Sequence, residues 1–363
     1  MNKKVVFLVT GVAWKPLGGL KIIYSYAESL ARDGHIVEIV YGCYSDVGKL
    51  SIFRKCKLIL KYFYFLIFGG FKCTKWYSLD KHVSEKLVLS LNYRYVGNAD
   101  LYIATTLQSS YYLKDYKSNN KFYFIQGFEN WDSFIDDSDV YNSYRFDLKK
   151  IVVSNWLAKI VKETGEQCDV VCNGFDNKVF RITEPIEKRQ IFTIGMMYNT
   201  AQNKGCDVCF NALNIVKQLY DDLKVIVFGI PDRPTFLPEW YEYHKMPSRD
   251  ELVNIYNRVS IFIGASYNEG WGLTIGEAML CGCAVACTNN NGYCEMAHNG
   301  DTALVSPIGR YDKLAENVLQ LIENPALKNR IAISGNRFIQ RFNIEESEKA
   351  FKKSIGLYVL NNI

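Results

Sequence analysis

The sequence predicts an α/β protein of two doubly wound domains, built one after the other and facing a cleft. Three observations carry this. Short apolar runs alternate with helical patterns along the first half, the signature of parallel strands joined by crossover helices. The alternation stops at a turn- and charge-rich stretch at 173–188 and then restarts. A length of 363 residues exceeds one ordinary core.

Residues 5–10 read as the first strand. Met1-Asn-Lys-Lys before that apolar run superficially suggests a secretory leader. The run is too short, and it meets Gly11 with no small-residue cleavage site, so a buried strand is expected. Gly18-Gly19 opens a helix to about 32, a strand follows at 36–41, and others at 101–104, 122–125 and 151–153. Ser154 is placed to cap a helix through 162, and a strand at 169–172 ends the series. Asn173-Gly174-Phe175-Asp176 is turn chemistry, and Glu184-Pro185 with charged neighbours reads as a linker. The second series has strands at 191–194, 223–228, 261–263 and 284–286, with helices at 205–219, 249–257 and 273–281. Residues 344–358 are helical by pattern. The expected division is 1–173, a hinge at 174–188, a second domain at 189–343 and a final helix in 344–363.

Composition narrows the class. An apolar content of 48% and an aromatic content of 14% fill two cores and argue against disorder. Eleven cysteines have no framework spacing, which predicts a reducing, cytoplasmic setting. Cys206-x2-Cys209 is the one zinc-like spacing, and with no second pair it reads as two structural thiols. No apolar run reaches the roughly 20 residues that cross a bilayer. The net charge of +5 is uneven. Residues 49–86 hold nine Lys or Arg against Asp80 and Glu85, a net +7 that leaves −2 elsewhere. The same segment contains Leu58-Ile-Leu-Lys-Tyr-Phe-Tyr-Phe-Leu-Ile-Phe68, and Arg54, Lys57 and Lys61 would share a helix face. Two readings follow: a peripheral anchor on an anionic membrane, or a core helix with a basic solvated side. Nucleic acid is not expected for so mildly basic a chain.

The chemistry concentrates in residues 268–280, Asn-Glu-Gly-Trp-Gly-Leu-Thr-Ile-Gly-Glu-Ala-Met-Leu. Glu269 and Glu277 stand eight apart across a glycine-broken turn that opens a helix. Free N–H groups and a positive dipole end suit a diphosphate, and the two carboxylates can accept hydrogen bonds from hydroxyls at either end of a ligand. Lys204 precedes Gly205 after the first strand of the second domain, and can neutralise a departing diphosphate. No Asp-x-Asp stands near a strand end and the four His do not cluster, so no metal is expected.

This stretch resembles the Glu-x7-Glu motif of the retaining glycosyltransferases of family 4, which have the GT-B fold of two Rossmann-like domains. The resemblance covers most of the chain, strongly from about 190 to 325 and weakly before 120. It extends through Asn173-Gly-Phe-Asp-x3-Phe180, Gly292-Tyr293-Cys294-Glu295, His298-Asn299-Gly300 and Leu304-Val305-Ser306-Pro307. It implies a nucleotide diphosphate sugar donor on the second domain, a glycan or lipid-linked acceptor, no cofactor, and a role in surface polysaccharide assembly. By the same resemblance Glu269 contacts the donor sugar and, with Lys204, forms the catalytic pair, while Glu277 holds the ribose. Gly270, Trp271, Gly272, Leu273 and Thr274 cradle the diphosphate, and Tyr243 and Met246 flank the base. In the first domain, Gly18 and Gly19 correspond to the family's glycine loop. Gln126 and Glu129, after a strand, are candidates for touching the transferred sugar or acceptor. The closing helix would return to the first domain.

Two departures stand out. The family's Arg is replaced within Gly195-Met196-Met197-Tyr198, and no His occurs near Gln126. The missing Arg keeps a non-catalytic sugar-nucleotide-binding assembly protein as an alternative, beside a sugar-nucleotide epimerase of the same fold.

Overall fold

The computed structural model describes residues 2–13, 15–44, 52–68, 76–130 and 135–358. The chain forms two units, Met1–Cys172 with Glu345–Ile363, and Asn173–Ile344.

The first unit is a parallel sheet of β1 (Lys4–Thr10), β2 (Ile36–Tyr44), β3 (Val83–Ser90), β4 (Leu101–Ala104), β5 (Lys121–Ile125), β6 (Lys149–Val152) and β7 (Cys168–Val170). Their order is β3-β2-β1-β4-β5-β6-β7. Its helices are α1 (Gly18–Arg32), α2 (Ile52–Phe68), α3 (Tyr93–Val96), α4 (Leu107–Leu113), α5 (Asp137–Tyr144) and α6 (Asn155–Glu163). Val5 to Leu8 are fully buried, because helices cover both faces of a parallel sheet and its central strands become continuously apolar. Ser154 stands at the N-cap of α6, but its hydroxyl makes no capping bond. Capping boxes instead start α4 at Thr106 and α5 at Asp136. Of the basic segment 49–86, residues 49–51 and 69–75 lie outside the described residues, among them Lys49, Lys72 and Lys75, as do the side chains of Arg54 and Lys55.

The second unit repeats the plan with β8 (Thr193–Tyr198), α7 (Cys206–Leu219), β9 (Lys224–Gly229), β10 (Tyr241–Lys245), α8 (Arg249–Arg258), β11 (Ile261–Gly264), α9 (Leu273–Leu280), β12 (Ala284–Thr288), β13 (Leu304–Ser306), α10 (Tyr311–Glu323) and α11 (Pro325–Ile339). The order β10-β9-β8-β11-β12-β13 is again doubly wound and parallel. Cys206 and Cys209 are buried free thiols of α7.

The stretch 174–188, expected as a hinge, is packed into this unit. Phe180 is buried with its ring edge-on to Tyr256, and Ile186 belongs to the core. Just beyond, the buried Arg189 guanidinium donates to the carbonyls of Glu184, Tyr256, Val259 and Cys281 and to Asn257 Oδ1. The backbone around Glu184-Pro185, read as a linker, is held by this cation and by Asn257 Oδ1, which accepts from the Thr183 and Glu184 N–H groups.

The last helix, α12 (Ile344–Ser354), belongs to the first unit from Glu345 onward. Phe351 stacks on Tyr26 with ring centroids 4.2 Å apart and meets Phe124 edge-on. Ser347 Oγ bonds Tyr26 OH at 2.6 Å and the Cys172 carbonyl at 2.8 Å. The helix stops earlier than the pattern to 358 predicted, because Gly356 takes φ +73°, the left-handed turn that ends helices.

Candidate functional site

In the second unit, β8 and β11 are neighbours whose onward connections run to opposite sides of the sheet. Ligands of open parallel sheets sit beyond the strand ends at such a point. Two loops meet there. The turn after β8 ends in a short 3-10 helix, Gln202–Lys204, and the loop after β11 carries Ser266 and Glu269. The Tyr267 N–H donates to the Asn203 carbonyl at 2.8 Å and joins the loops. Gly205 is required at that crossing. It has φ +58°, and a Cβ there would lie 2.0 Å from the Ala265 carbonyl oxygen.

Lys204 Nζ donates to Glu269 Oε1 at 2.7 Å, and Ser266 Oγ donates to the same oxygen at 2.9 Å. Ser266 is itself held. Tyr293 OH donates to its hydroxyl at 3.0 Å, while Thr288 Oγ1 and Asn290 Nδ2 donate to its carbonyl. Burial pushes the Tyr293 phenol well above its ordinary value, so it remains a donor. Gly292 lies against the Glu269 backbone, where a Cβ would be 2.3 Å from the carbonyl oxygen. A half-buried carboxylate is thus fixed beside a cation.

Helix α9 begins at Gly272, which has φ +114° and supplies no side-chain cap. Its first amides therefore have no side-chain cap from that residue and form the partial positive end of the helix dipole. Glu277 follows on this helix, buried, and accepts from Tyr256 OH of α8 at 3.2 Å. Burial holds the Tyr256 phenol well above its ordinary value, again fixing the donor. Gly276 lets Phe175 close on the helix, since a Cβ there would lie 2.1 Å from Phe175 Cζ. Trp271 is buried edge-on to Phe342, and its Nε1 has no hydrogen-bond partner among the described residues. A cavity of about 800 Å³ opens beside the two loops, lined by residues including Asn199, Gln202, Asn203, Phe236 and Tyr267.

The structure thus groups Lys204, Glu269 and the turn from Gly270 to Thr274, with Glu277 further along α9. Tyr243 and Met246 lie on another part of the sheet. Tyr243 stands on the edge strand β10, and Met246 follows it before α8. Tyr243 OH donates to the Pro231 carbonyl at 2.7 Å, so this hydroxyl is committed to the turn after β9. Met246 adopts φ +48°, the sole positive φ outside glycine among the described residues, and its N–H bonds the Gly229 carbonyl. Ser248 caps α8 with Glu251 in a capping box.

In the first unit, Gly18 and Gly19 begin α1, and Gln126 ends the neighbourhood of β5. A Cβ on Gly19 would lie 3.2 Å from Gln126 Oε1. That oxygen is buried and has no hydrogen-bond partner among the described residues. Glu129 is buried and accepts from the Leu107 N–H at 2.8 Å. This carboxylate stabilises the start of α4, a structural task the sequence did not reveal.

Sequence reasoning assigned no role to Ser266, Tyr256 or Tyr293, which orient the two acids. Ser266 stands three residues before Glu269, a spacing that signals nothing alone. Tyr256 and Tyr293 are distant in sequence and meet the acids through the fold.

Two parallel, doubly wound sheets with this strand order define the GT-B plan of glycosyltransferases. Anabaena Alr3699/HepE, solved in complex with UDP-glucose, matches over 98% of this chain and 100% of its own at TM-score 0.73 and 16% identity. Sucrose-phosphate synthase from Thermosynechococcus elongatus matches over 97% and 98% at TM-score 0.71 and 14% identity. At such identities the likeness is one of fold. Residues 176–338, which hold the site, match the family described as glycosyl transferases group 1. Among curated relatives, the capsular polysaccharide biosynthesis glycosyltransferase CapM of Staphylococcus aureus is 24% identical over 44% of this chain and 46% of its own length. The N,N'-diacetylbacillosaminyl-diphospho-undecaprenol alpha-1,3-N-acetylgalactosaminyltransferase of Campylobacter jejuni is 24% identical over 58% and 61%. A D-inositol 3-phosphate glycosyltransferase of Rhodococcus jostii is 28% identical over 37% and 28%. The chain thus spans about a quarter to three fifths of these relatives' lengths.

Proposed function

We propose that this protein is a retaining glycosyltransferase of the family 4 kind. It moves a hexose or deoxyhexose from a nucleotide diphosphate sugar to a glycan or lipid-linked glycan in surface polysaccharide synthesis. The carrying observation is the Lys204–Glu269 pair beside the uncapped start of α9. A diphosphate seated on the amides from Gly270 to Thr274 places its charge within reach of Lys204. The same amides and cation stabilise the charge that grows on the leaving diphosphate. Glu269 takes the sugar hydroxyls and Glu277, on the next turns, the ribose. The first unit, with Gly18, Gly19 and Gln126, takes the acceptor. Charge is handled by Lys204 and backbone amides, so transfer proceeds without a metal and survives chelator. Ten described thiols are free, six of them buried, which suits a cytoplasmic enzyme.

Titration calorimetry against a panel of nucleoside diphosphates and their sugars tests the reading. One base binds, and Glu277→Ala weakens that binding about 10- to 100-fold, as expected for hydrogen bonds to a charged acceptor. An unchanged affinity would remove Glu277 from the site. Donor binding without transfer or hydrolysis over a broad acceptor panel would favour the non-catalytic alternative left open by the missing Arg.

A further inference from the structure

Helix α2 has more apolar surface than its sheet can cover. Leu58, Ile59, Tyr62 and Phe65 are partly buried on one side, where the helix packs on β2 and β3, and Cys43 Sγ donates to the Leu58 carbonyl. The opposite side is exposed, with Phe53 at 84% of its full accessibility, Ile67 at 73%, Phe68 at 71% and Leu60 at 70%. At 100° per residue, Phe63, Ile67, Leu60, Phe53 and Tyr64 form one continuous arc. Lys57 and Lys61, both exposed, lie along one edge of it with Phe68 between them. A patch of this kind on an otherwise well-packed unit marks a contact surface.

We propose that this face of α2 is an interfacial anchor that lies in the surface of an anionic lipid bilayer. Residues 52–68 include no Asp or Glu, and the whole segment 49–86 carries a net +7. An apolar arc with cations along its edge sinks into the headgroup boundary while its lysines reach anionic headgroups. A 17-residue helix is about 25 Å long, short of the hydrocarbon thickness, and no described helix is long and apolar enough to cross a membrane. In an antiparallel two-fold contact across this arc, a second copy would set Lys57 and Lys61 beside their own equivalents along one edge. The inference goes beyond the transferase reading and does not depend on it.

Flotation of the full chain tests it, with vesicles of phosphatidylcholine alone and of phosphatidylcholine with phosphatidylglycerol. The protein should float with the anionic vesicles, weakly with the neutral ones, and less as salt rises. Removing two charges, Lys57→Gln with Lys61→Gln, should lower partitioning about 30-fold. The triple change Phe53→Ser, Leu60→Ser, Ile67→Ser should abolish flotation and leave nucleotide affinity unaltered, which shows the fold intact. A wild-type protein that stays with the soluble fraction overturns the proposal. So does a wild-type dimer that the triple change turns into monomers without any lipid binding. Nucleotide binding measured on the same samples separates failure of the anchor from failure of the donor site.

Discussion

Glu269→Gln should slow sugar transfer roughly 100- to 1,000-fold, the usual cost of removing one preorganised polar group from a reacting centre. The change keeps the shape of the side chain and removes its charge. Ser266 Oγ and Lys204 Nζ, which now share Glu269 Oε1, lose their anionic acceptor. Lys204 is then released from its ion pair and free to favour an incoming diphosphate. Affinity for the nucleoside diphosphate should therefore hold or rise while turnover falls. Steady-state kinetics and calorimetry on one preparation measure both. A turnover within about threefold of wild type would show that Glu269 does not serve the reaction. Glu277→Ala gives the opposite signature, with binding lost first, so the pair of variants separates the roles of the two acids.

Arg189→Met should lower the stability of the second unit by at least about 3 kcal/mol. A charged donor contributes roughly 1.5–3 kcal/mol per hydrogen bond, and buried acceptors left unpaired add their own cost. Arg189 is 7% exposed, and its guanidinium serves the carbonyls of Glu184, Tyr256, Val259 and Cys281. Methionine fills much of the volume and donates nothing. In a unit of this size the melting temperature should drop by about 6–12 °C. Scanning calorimetry resolves this if the units melt separately. A shift under about 2 °C would mean that the carbonyls find other donors. Tyr256 joins this network to Glu277 through its hydroxyl, so nucleotide binding should weaken as well.

Central strands are legible in the sequence because both their faces are buried. β1, β8, β9, β11 and β12 read as apolar runs, and their alternation with helices yields the two-domain plan. The edge strands β3 and β10 are not legible. β3 reads Val-Ser-Glu-Lys-Leu-Val-Leu-Ser and β10 Tyr-Glu-Tyr-His-Lys, and each pairs on one side only. Half-exposed positions tolerate charge, so the period-2 signal fades. In the candidate site, the turn at Gly270-Trp271-Gly272 and the two acids are visible as spacing and residue type. Their supports are not, because Tyr293 and Tyr256 reach them across the fold. Glu129 is legible only as a residue type, and its bond from the Leu107 amide at the start of α4 is not.

The position of α12 bears on how this chain is made. Tyr26, Phe7 and Phe124 lie in the first third or so of the polypeptide, yet the ring that seals them is Phe351. During synthesis the early sheet must wait, with an aromatic seam open, until residue 351 has left the ribosome. Residues 173–344 have no such debt to later sequence and can mature first, so the order of birth and the order of completion are reversed.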